Sequence, residues 1–587
     1  MNILCMDLGL LVPALQALGH NVIAWNPEGS GVYDLPAFLH ECGFRPDLLI
    51  QAESLGPRRV LSGLEEVKCP RIFWAIDSHL NLYWQKYYAR LFDAVLTPHL
   101  SLWEALPAGE RHPLVRQMAR QGTALPWRPH QERQHLLSFV GVQDKHRPLR
   151  TWLCELIASR FPLVQRQNIS FAEMLALYQD TCIVPNEAIA FEVNYRLMET
   201  ASAGALPLTP DIGPDQDALF EPGREMVVYR NACELMEKLE ALQADPKRTE
   251  RIAHAAWQRI QREHLPIHRA EQIIRLAESI QQERLPEEYG GFSRQFFFAA
   301  NLWMARMQGA RGGRGGFSGP AVKNTPPLSA FPAGEEQNSE TLNLQLRFLL
   351  ETSNAPRLLP LIREYFQSGA YPENAELAAA ASFGALRLGD PELAAGILAS
   401  AGAGLSLNNP LPGQASVEDA LPTQAGQSPL AGSPIPGAWQ VAFCLCWAEV
   451  LLKRGHRAVS GFTFDPCYHL PASSLDVLIY LEMFFPGQSQ EAVLTLVNLA
   501  LLGDRAFAYF HLGYLARQAL AQPANWQIQL EYGMANLVCY RMQEGLHELN
   551  EAARKAAQAG QQPIFSRLLA LHDPSGAIVR QCRLEYN

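Results

Sequence analysis

The most informative stretch of this chain is PNEAIAFEVNYRLMETASAGALPLTPDIGPDQDALFEPGREMVVY, residues 185–229. Its pattern predicts a helix carrying Asn194, Arg196 and Glu199, then a tight turn at Gly204, a short apolar strand, a loop rich in Pro, Gly and Asp, and a second strand. An arginine and a carboxylate in the first turns of such a helix suit a ligand that has both phosphate and hydroxyl groups. The stretch therefore outlines a pocket for a sugar nucleotide.

The segment before this stretch alternates short apolar strands with helices. Strands are predicted at residues 2–7, 21–25, 46–51, 70–77 and 94–98. Continuous apolar strands that alternate with helices indicate a parallel sheet covered on both faces, and such sheets bind ligands at the carboxyl ends of their strands. We therefore expect an N-terminal Rossmann-like domain at residues 1–133.

A second α/β unit, expected at residues 134–265, begins with HLLSFVGVQDKHRPLRTWLCELI at residues 135–157. Its strand ends at Val140, Gly141 allows close approach of the backbone, and Arg147 lies at or near the start of the next helix. This turn can place N–H groups and a cation on an anion. The GxGxxG fingerprint is absent, so the sequence gives no support for dinucleotide binding.

Two runs carry a resemblance to a known family: NYRLMETASAGALPLTPD at 194–211 and LFEPGREMVVYRNACELMEKL at 219–239. They resemble the donor-binding signature of the CgeB-like glycosyltransferases, which have the two-Rossmann architecture called GT-B. The matching positions are Asn194, Arg196, Glu199, Gly204, Thr209, Phe220, Gly223, Glu225 and Tyr229. The resemblance implies a fold of two Rossmann-like α/β domains.

The resemblance also implies roles for individual residues, each with a plainer alternative. Arg196 would contact the diphosphate of the donor, or pair with Glu192 or Glu199 on the helix surface. Glu199 would bond the ribose hydroxyls, or form a surface ion pair. Asn194 would bridge phosphate or cap the local backbone, and Gly204 would serve the turn itself.

The same family carries a similar FVG turn followed by an arginine at the start of its donor domain. The residues that match this turn are Phe139, Val140, Gly141 and Arg147. In the family a similar His-x-x-x-x-Arg stretch, here His264 to Arg269, precedes a helix that crosses back to the first domain. We therefore expect a crossover helix at residues 266–283.

Transfer to a hydroxyl with inversion would need a base near the acceptor. Asp77 and His79 follow a predicted strand of the first domain, where the interdomain cleft should open, and Glu53 is a weaker candidate in the equivalent place. The alternative is that Asp77 or His79 caps the next helix or bonds a loop. A retaining enzyme needs no such base, and the stereochemistry stays open.

No cofactor or bound metal is expected. GT-B enzymes generally neutralise the diphosphate with basic side chains and helix N-termini, and no DxD motif stands where a strand would deliver it to the cleft. The donor substrate implied is a nucleoside-diphosphate sugar, with a UDP-sugar favoured. The 11 cysteines are scattered, and reduced core thiols are the simple interpretation.

Beyond the α/β half, the chain is expected to be a linker at residues 284–339 and an all-helical domain at 340–587, with a flexible insertion at 402–437. Small-residue sites such as Gly533 and Gly545 resemble tetratricopeptide helix pairs, although the 34-residue period fits poorly. Two RGG triplets in the linker raise RNA binding as an alternative to a plain linker.

Charge and hydropathy limit the class of partner. The net charge of −10 argues against bulk binding to nucleic acid or anionic membrane, and no segment has the roughly 18 uninterrupted apolar residues of a spanning helix. We expect a cytoplasmic protein.

The expected function is therefore sugar transfer to a hydroxyl. Stacked helix pairs offer concave surfaces for a protein acceptor, and among enzymes that resemble this architecture are bacterial flagellin glycosyltransferases. The alternatives are a non-catalytic interaction protein with a vestigial sugar-nucleotide domain, or an enzyme acting on a polysaccharide or small molecule.

Overall fold

The protein is described from a computed structural model. The structure describes residues 1–29, 31–54, 59–106, 111–143, 148–188, 192–282, 346, 355–369, 374–402, 438–454, 470–471, 473–484 and 508–582. The predicted linker and nearly all of the predicted insertion lie outside these residues.

Within the residues that the structure describes, the strands all belong to the first half of the chain. They are β1 (Asn2–Met6), β2 (Asn21–Trp25), β3 (Gly31–Asp34), β4 (Leu48–Ala52), β5 (Arg59–Ser62), β6 (Arg71–Trp74), β7 (Ala94–Thr97), β8 (Val115–Gln117), β9 (His135–Val140), β10 (Leu163–Arg166), β11 (Thr181–Pro185), β12 (Leu206–Pro210) and β13 (Val227–Tyr229).

The helices fall into two groups. Those of the α/β half are α1 (Val12–Ala17), α2 (Leu35–Cys42), α3 (Ser78–Tyr88), α4 (Leu100–Glu104), α5 (Pro148–Ala158), α6 (Phe171–Gln179), α7 (Tyr195–Ser202), α8 (Pro214–Asp217), α9 (Ala232–Ala244), α10 (Pro246–Arg259) and α11 (Pro266–Gln282). Those of the C-terminal region are α12 (Ala355–Ser368), α13 (Ala375–Arg387), α14 (Pro391–Gly402), α15 (Ala438–Lys453), α16 (Ser474–Phe484), α17 (Ala508–Ala521), α18 (Trp526–Val538), α19 (Met542–Gln558), α20 (Gln562–His572) and α21 (Ala577–Gln581).

The first domain is built on a six-stranded parallel sheet in the order β2-β1-β4-β6-β7-β8. Its central strands are apolar on both faces: side chains of β1 alternate between two separate core clusters, one on each side of the sheet. A sheet buried on both faces confirms the doubly covered parallel architecture that the apolar runs predict.

The second domain has a five-stranded parallel sheet in the order β10-β9-β11-β12-β13. The prediction of two Rossmann-like α/β domains, the GT-B arrangement, is thereby confirmed. A short π-helix, Ile260–His264, links α10 to α11. Helix α11 leaves this domain and packs against the first sheet, where Ala270, Ile273 and Ala277 are fully buried.

One sequence prediction about the central stretch needs correction. Asn194 does not lie within a helix, because α7 begins at Tyr195 and Asn194 is the N-cap residue, with an extended backbone. The preceding Pro185 is the last residue of β11, paired with Leu208.

The C-terminal region is helical, as predicted, while its identity as a tetratricopeptide repeat remains a prediction. This region contacts both α/β domains. Lys86 of α3 forms a buried ion pair with Glu376 of α13, 3.1 Å apart, and Arg580 of α21 pairs with Glu237 of α9 at 2.7 Å. The helices thus lie against the α/β half.

Among the described residues, no helix is both long enough and apolar enough to cross a bilayer. The ten cysteines that the structure describes are free thiols, most of them buried.

Candidate functional site

Arg196 lies at the carboxyl ends of β9 and β11, where its side chain is 8% exposed. It donates hydrogen bonds from Nη2 to the carbonyl oxygen of Val140 (2.9 Å) and from Nη1 to Oδ1 of Asn186 (3.1 Å). Its guanidinium carbon lies 4.4 Å from the centroid of the Phe139 ring, a cation–π contact. The guanidinium is held at the edge of the sheet where ligands of such folds bind.

Gly141 makes this placement of the arginine possible. A Cβ at position 141 would lie 3.0 Å from Nη2 of Arg196 and 3.2 Å from the Phe139 ring. The glycine backbone therefore leaves the space that the guanidinium needs. The structure brings the predicted Gly141 and Arg196 together, whereas Arg147 lies outside the described residues.

Asn194 occupies the N-cap position of α7 without capping it. Its side-chain amide donates to Oδ1 of Asn186 (2.9 Å) and to the carbonyl oxygen of Glu187 (2.7 Å), and no cap hydrogen bond forms. Its Oδ1 is buried and has no partner among the described residues. The first N–H groups of α7 thus receive no side-chain cap and remain available to an anion.

Glu199 lies one turn after Arg196 and is half-buried. Burial raises the pKa of its carboxyl to about 7, against the opposing effect of Arg196 and Arg120. Arg120 comes from the segment after β8, and its guanidinium carbon lies 5.3 Å from the centroid of the Tyr195 ring. Sequence reasoning missed Arg120, because no local pattern marks a residue that reaches α7 from the first domain.

Gly204 stands at the opposite end of α7. Its φ of +70° is a left-handed conformation, and a Cβ there would lie 2.8 Å from Nη2 of Arg133 and 3.0 Å from the Trp127 ring. Its role is in the turn that returns the chain to β12.

On the first domain, Glu53 organises the loop that precedes α3. Its carboxylate accepts hydrogen bonds from the N–H groups of Ile76 (2.9 Å) and Asp77 (2.7 Å), and from the side chains of Asn81 and Gln85. The carbonyl oxygen of Asp77 accepts from the N–H of Asn81 at 2.9 Å, as the residue before a helix does. Glu53 is therefore engaged by the loop and helix around it.

His79 is buried in α3, and its ring centroid lies 4.9 Å from that of His99. Burial lowers the pKa of His79 well below its usual value, so the imidazole is neutral at physiological pH. Its Nδ1 has no partner among the described residues. Nε2 of His99 accepts from the N–H of Val193 at 3.0 Å, so the histidine pair borders the segment that leads into α7.

A cavity of about 360 Å³ opens at the carboxyl ends of β1, β4 and β6. Its wall combines apolar side chains with Asp7, Glu53, Arg59 and Arg120. Asp7 forms an ion pair with Arg59 and has a φ of +58°, a strained conformation for a non-glycine residue. Because Arg120 also contacts Tyr195, the cavity lies beside the start of α7, and its volume suits a small ligand.

Among the described residues, no group of three or more His, Cys, Asp or Glu side chains is placed to hold a metal ion.

A protein family and several solved structures are similar to parts of this chain. No curated protein matches the chain. Among solved structures, the chain is similar to Anabaena Alr3699/HepE in complex with UDP and glucose: 13% identity, TM-score 0.35, covering 48% of this chain and 100% of that one. Sucrose-phosphate synthase from Thermosynechococcus elongatus has 12% identity and a TM-score of 0.35, covering 48% and 99% of the two chains.

The pneumococcal O-GlcNAc transferase GtfA, in complex with UDP and GlcNAc, has 12% identity and a TM-score of 0.32. That likeness covers 42% of this chain and 60% of GtfA. A family match covers the residues that build the site around Arg196. Residues 133–275, which include Gly141, Asn194, Arg196 and Glu199, match the family described as glycosyl transferase-like.

Proposed function

We propose that this protein is a glycosyltransferase that moves a sugar from a nucleoside-diphosphate donor to a hydroxyl acceptor. The observation that carries the proposal is the buried guanidinium of Arg196, held between the glycine turn after β9 and the uncapped start of α7. In the reaction, the bond from the anomeric carbon to the diphosphate breaks and its electron pair stays on the diphosphate. Arg196 and the N–H groups of α7 would stabilise that charge.

Glu199 is the proposed contact for the ribose. Its half-buried carboxyl lies one helical turn from Arg196, so the two groups would face one nucleotide at the distance of phosphate and sugar. As a carboxylate it accepts hydrogen bonds from two adjacent hydroxyls.

The acceptor hydroxyl would enter from the first domain, through the cavity beside Arg120. The new bond forms between the acceptor oxygen and the anomeric carbon, and the proton of the hydroxyl must pass to a base. Asp77 and His79 stay our candidates for that base. Nδ1 of His79 is buried and has no partner among the described residues, which leaves it available to a hydroxyl proton. We propose that no divalent metal takes part, since Arg196 and the start of α7 supply positive charge to the diphosphate.

We further propose a cytoplasmic enzyme that uses a UDP-sugar and modifies Ser or Thr of a protein, with flagellin as a candidate. The support for this is the sequence resemblance together with a helical region that lies against both α/β domains. A protein acceptor would extend from the helices toward the cleft.

The test is a binding and hydrolysis screen against UDP-, GDP-, CMP- and dTDP-sugars in the presence of EDTA. The Arg196→Ala variant should lose the donor that the intact protein binds. Arg160→Ala is the matched control, because Arg160 lies just before β10 at the opposite edge of the sheet and is 45% exposed. Donor binding kept in Arg196→Ala, or no donor bound by the intact protein, contradicts the proposal and favours an interaction protein.

A further inference from the structure

A pair of tyrosines joins the helical region to the site. Tyr540, between α18 and α19, places its hydroxyl 2.9 Å from that of Tyr229, the last residue of β13. Both side chains are buried, 6% and 1% exposed. Tyr229 donates its only hydroxyl proton to the carbonyl oxygen of Asn186 at 2.7 Å. Tyr540 must therefore be the donor in the bond between the two hydroxyls.

Asn186 links the two tyrosines to the candidate site. Its Oδ1 accepts from both Arg196 (3.1 Å) and Asn194 (2.9 Å), and its Nδ2 donates to Oγ1 of Thr209 at 3.1 Å. Asn186 is 4% exposed, so these bonds are shielded from water. Hydrogen bonds thus lead from Tyr540 through Tyr229 to the backbone carbonyl of Asn186, and the side chain of the same asparagine bonds Arg196.

The backbone at Tyr540 supports a special role for its side chain. The end of α18 has the hydrogen bonds of a Schellman motif, from the N–H of Arg541 to the carbonyl of Asn536 and from that of Tyr540 to Leu537. The residue at this left-handed position is usually glycine. Here Tyr540 adopts a φ of +66°, which is strained for any residue with a Cβ. A glycine would relieve that strain but would not reach Tyr229.

The contact also lies on the functional side of the second sheet. A narrow cleft of about 30 Å³ follows the seam between Tyr540 and the residues just after β11 and β12, among them Glu187 and Asp211. These are carboxyl ends of parallel strands, the edge at which such sheets bind ligands. The helical region therefore abuts the site and leaves room there for about two water molecules.

We infer that Tyr540 is a positioning residue, which holds Asn186, and through it Arg196 and Asn194, in the arrangement that binds the donor. This inference rests on the donor-binding role proposed above for Arg196. It makes the helical region part of the donor site rather than only a surface for the acceptor.

The test uses the full-length Tyr540→Phe variant and the nucleotide sugar that the intact protein binds in the screen. Removing one buried hydroxyl leaves that of Tyr229 without its donor, and we expect Kd to rise by roughly three- to tenfold. Tyr532→Phe on α18 is the matched control, because the described residues include no hydrogen-bond partner for its hydroxyl. The melting temperature of each variant is measured alongside.

Tyr229→Phe should weaken binding by a similar factor, and the double variant should be no weaker than either single one, because both hydroxyls act through one path. Unchanged Kd in both single variants, or fully additive losses, would overturn the inference while leaving the donor-binding proposal intact. An intact protein that binds no donor refutes that proposal instead.

Hydrogen exchange of the free protein supplies a second measurement that needs no ligand. Exchange at residues 192–196 should be faster in Tyr540→Phe than in Tyr532→Phe. Equal exchange rates in the two variants would count against the positioning role. This holds even if Tyr540→Phe binds donor more weakly, because a loss of overall stability would then account for the weaker binding.

Discussion

The backbone N–H of Val193 donates a 3.0 Å hydrogen bond to Nε2 of His99, and this bond joins the two α/β domains immediately before α7. Because Nε2 accepts, it carries no proton, and the imidazole is neutral. Burial lowers the pKa of His99 to about 3. A protonated His99 could not accept this bond. The hydrogen bond at the start of α7 therefore forms only while His99 is neutral.

The burial of neutral His99 should therefore make the protein less stable as the pH falls. The unfolded chain takes up a proton at His99 near its usual pKa of 6.5 and the folded chain only near 3, so the free energy of unfolding falls as pH drops below 6.5. From pH 7 to 5 this group accounts for about 2 kcal/mol. Burial lowers the pKa of His130 and His264 to about 4 and 3, which adds in the same direction, whereas the Glu199 carboxyl, with its pKa raised to about 7, opposes it.

His99→Gln tests this, because a glutamine side chain can still accept from Val193 but does not titrate. Urea unfolding between pH 5 and 7.5 should show a smaller loss of stability in the variant than in the wild type. Parallel pH dependences would show that His99 contributes nothing to the acid sensitivity.

Gly141→Ala should weaken donor binding although every other side chain of the site is unchanged. The added methyl group would lie 3.0 Å from Nη2 of Arg196, so the guanidinium must shift by a few tenths of an ångström, which weakens its hydrogen bond to Val140. Complete loss of a charged hydrogen bond costs about 1.5–3 kcal/mol, so a weakened one should raise the Kd by up to roughly tenfold. Isothermal titration of the donor measures it. Gly513→Ala, where the nearest atom is 3.8 Å away, is the control and should bind normally.

Glu199 predicts a pH dependence of donor affinity. Burial raises its carboxyl pKa to about 7, so a rise in pH from 6 to 8 converts it into the carboxylate that accepts hydroxyl hydrogen bonds. The Kd of a nucleotide sugar should fall over this range, because both of its phosphates are esterified and do not titrate there. In Glu199→Gln the dependence should disappear. A wild type whose affinity is flat from pH 6 to 8 would place the ribose elsewhere.

Much of this architecture follows from local pattern. Continuous apolar runs predict the first parallel sheet. The second Rossmann-like domain, and the assignment of Gly141 and Arg196 to one donor site, came from the resemblance. The start of α7 was predicted wrongly, because the residues before Tyr195 are fixed by side-chain bonds to Asn186 and Glu187 rather than by helical periodicity.

Other parts of the site depend on contacts that no local pattern encodes. Tyr229 and Tyr540 are 311 residues apart in sequence, and Arg120 reaches Tyr195 from the other domain. Asp77 and His79 remain predictions for the catalytic base, because their positions at a strand end fit a helix start as well as a cleft.

The crossing of α18 and α19 gives the last prediction, on stability alone. The Cβ of an alanine at position 533 would lie 2.8 Å from Cγ of Leu549 and 3.1 Å from the carbonyl oxygen of Gly545. In a helix, alanine is more favourable than glycine by about 1 kcal/mol, whereas overpacking costs about 1–3 kcal/mol. Part of the contact here is with the backbone of α19 at Gly545, which cannot rotate away as a side chain can. Gly533→Ala should therefore lower the melting temperature, whereas Gly513→Ala, on the open face of α17, should raise it slightly. If Gly533→Ala were as stable as Gly513→Ala, the two helices would have to be farther apart than the structure places them.

Because Tyr540 connects these same two helices, a destabilised Gly533→Ala protein should also bind donor more weakly at temperatures below its melting transition.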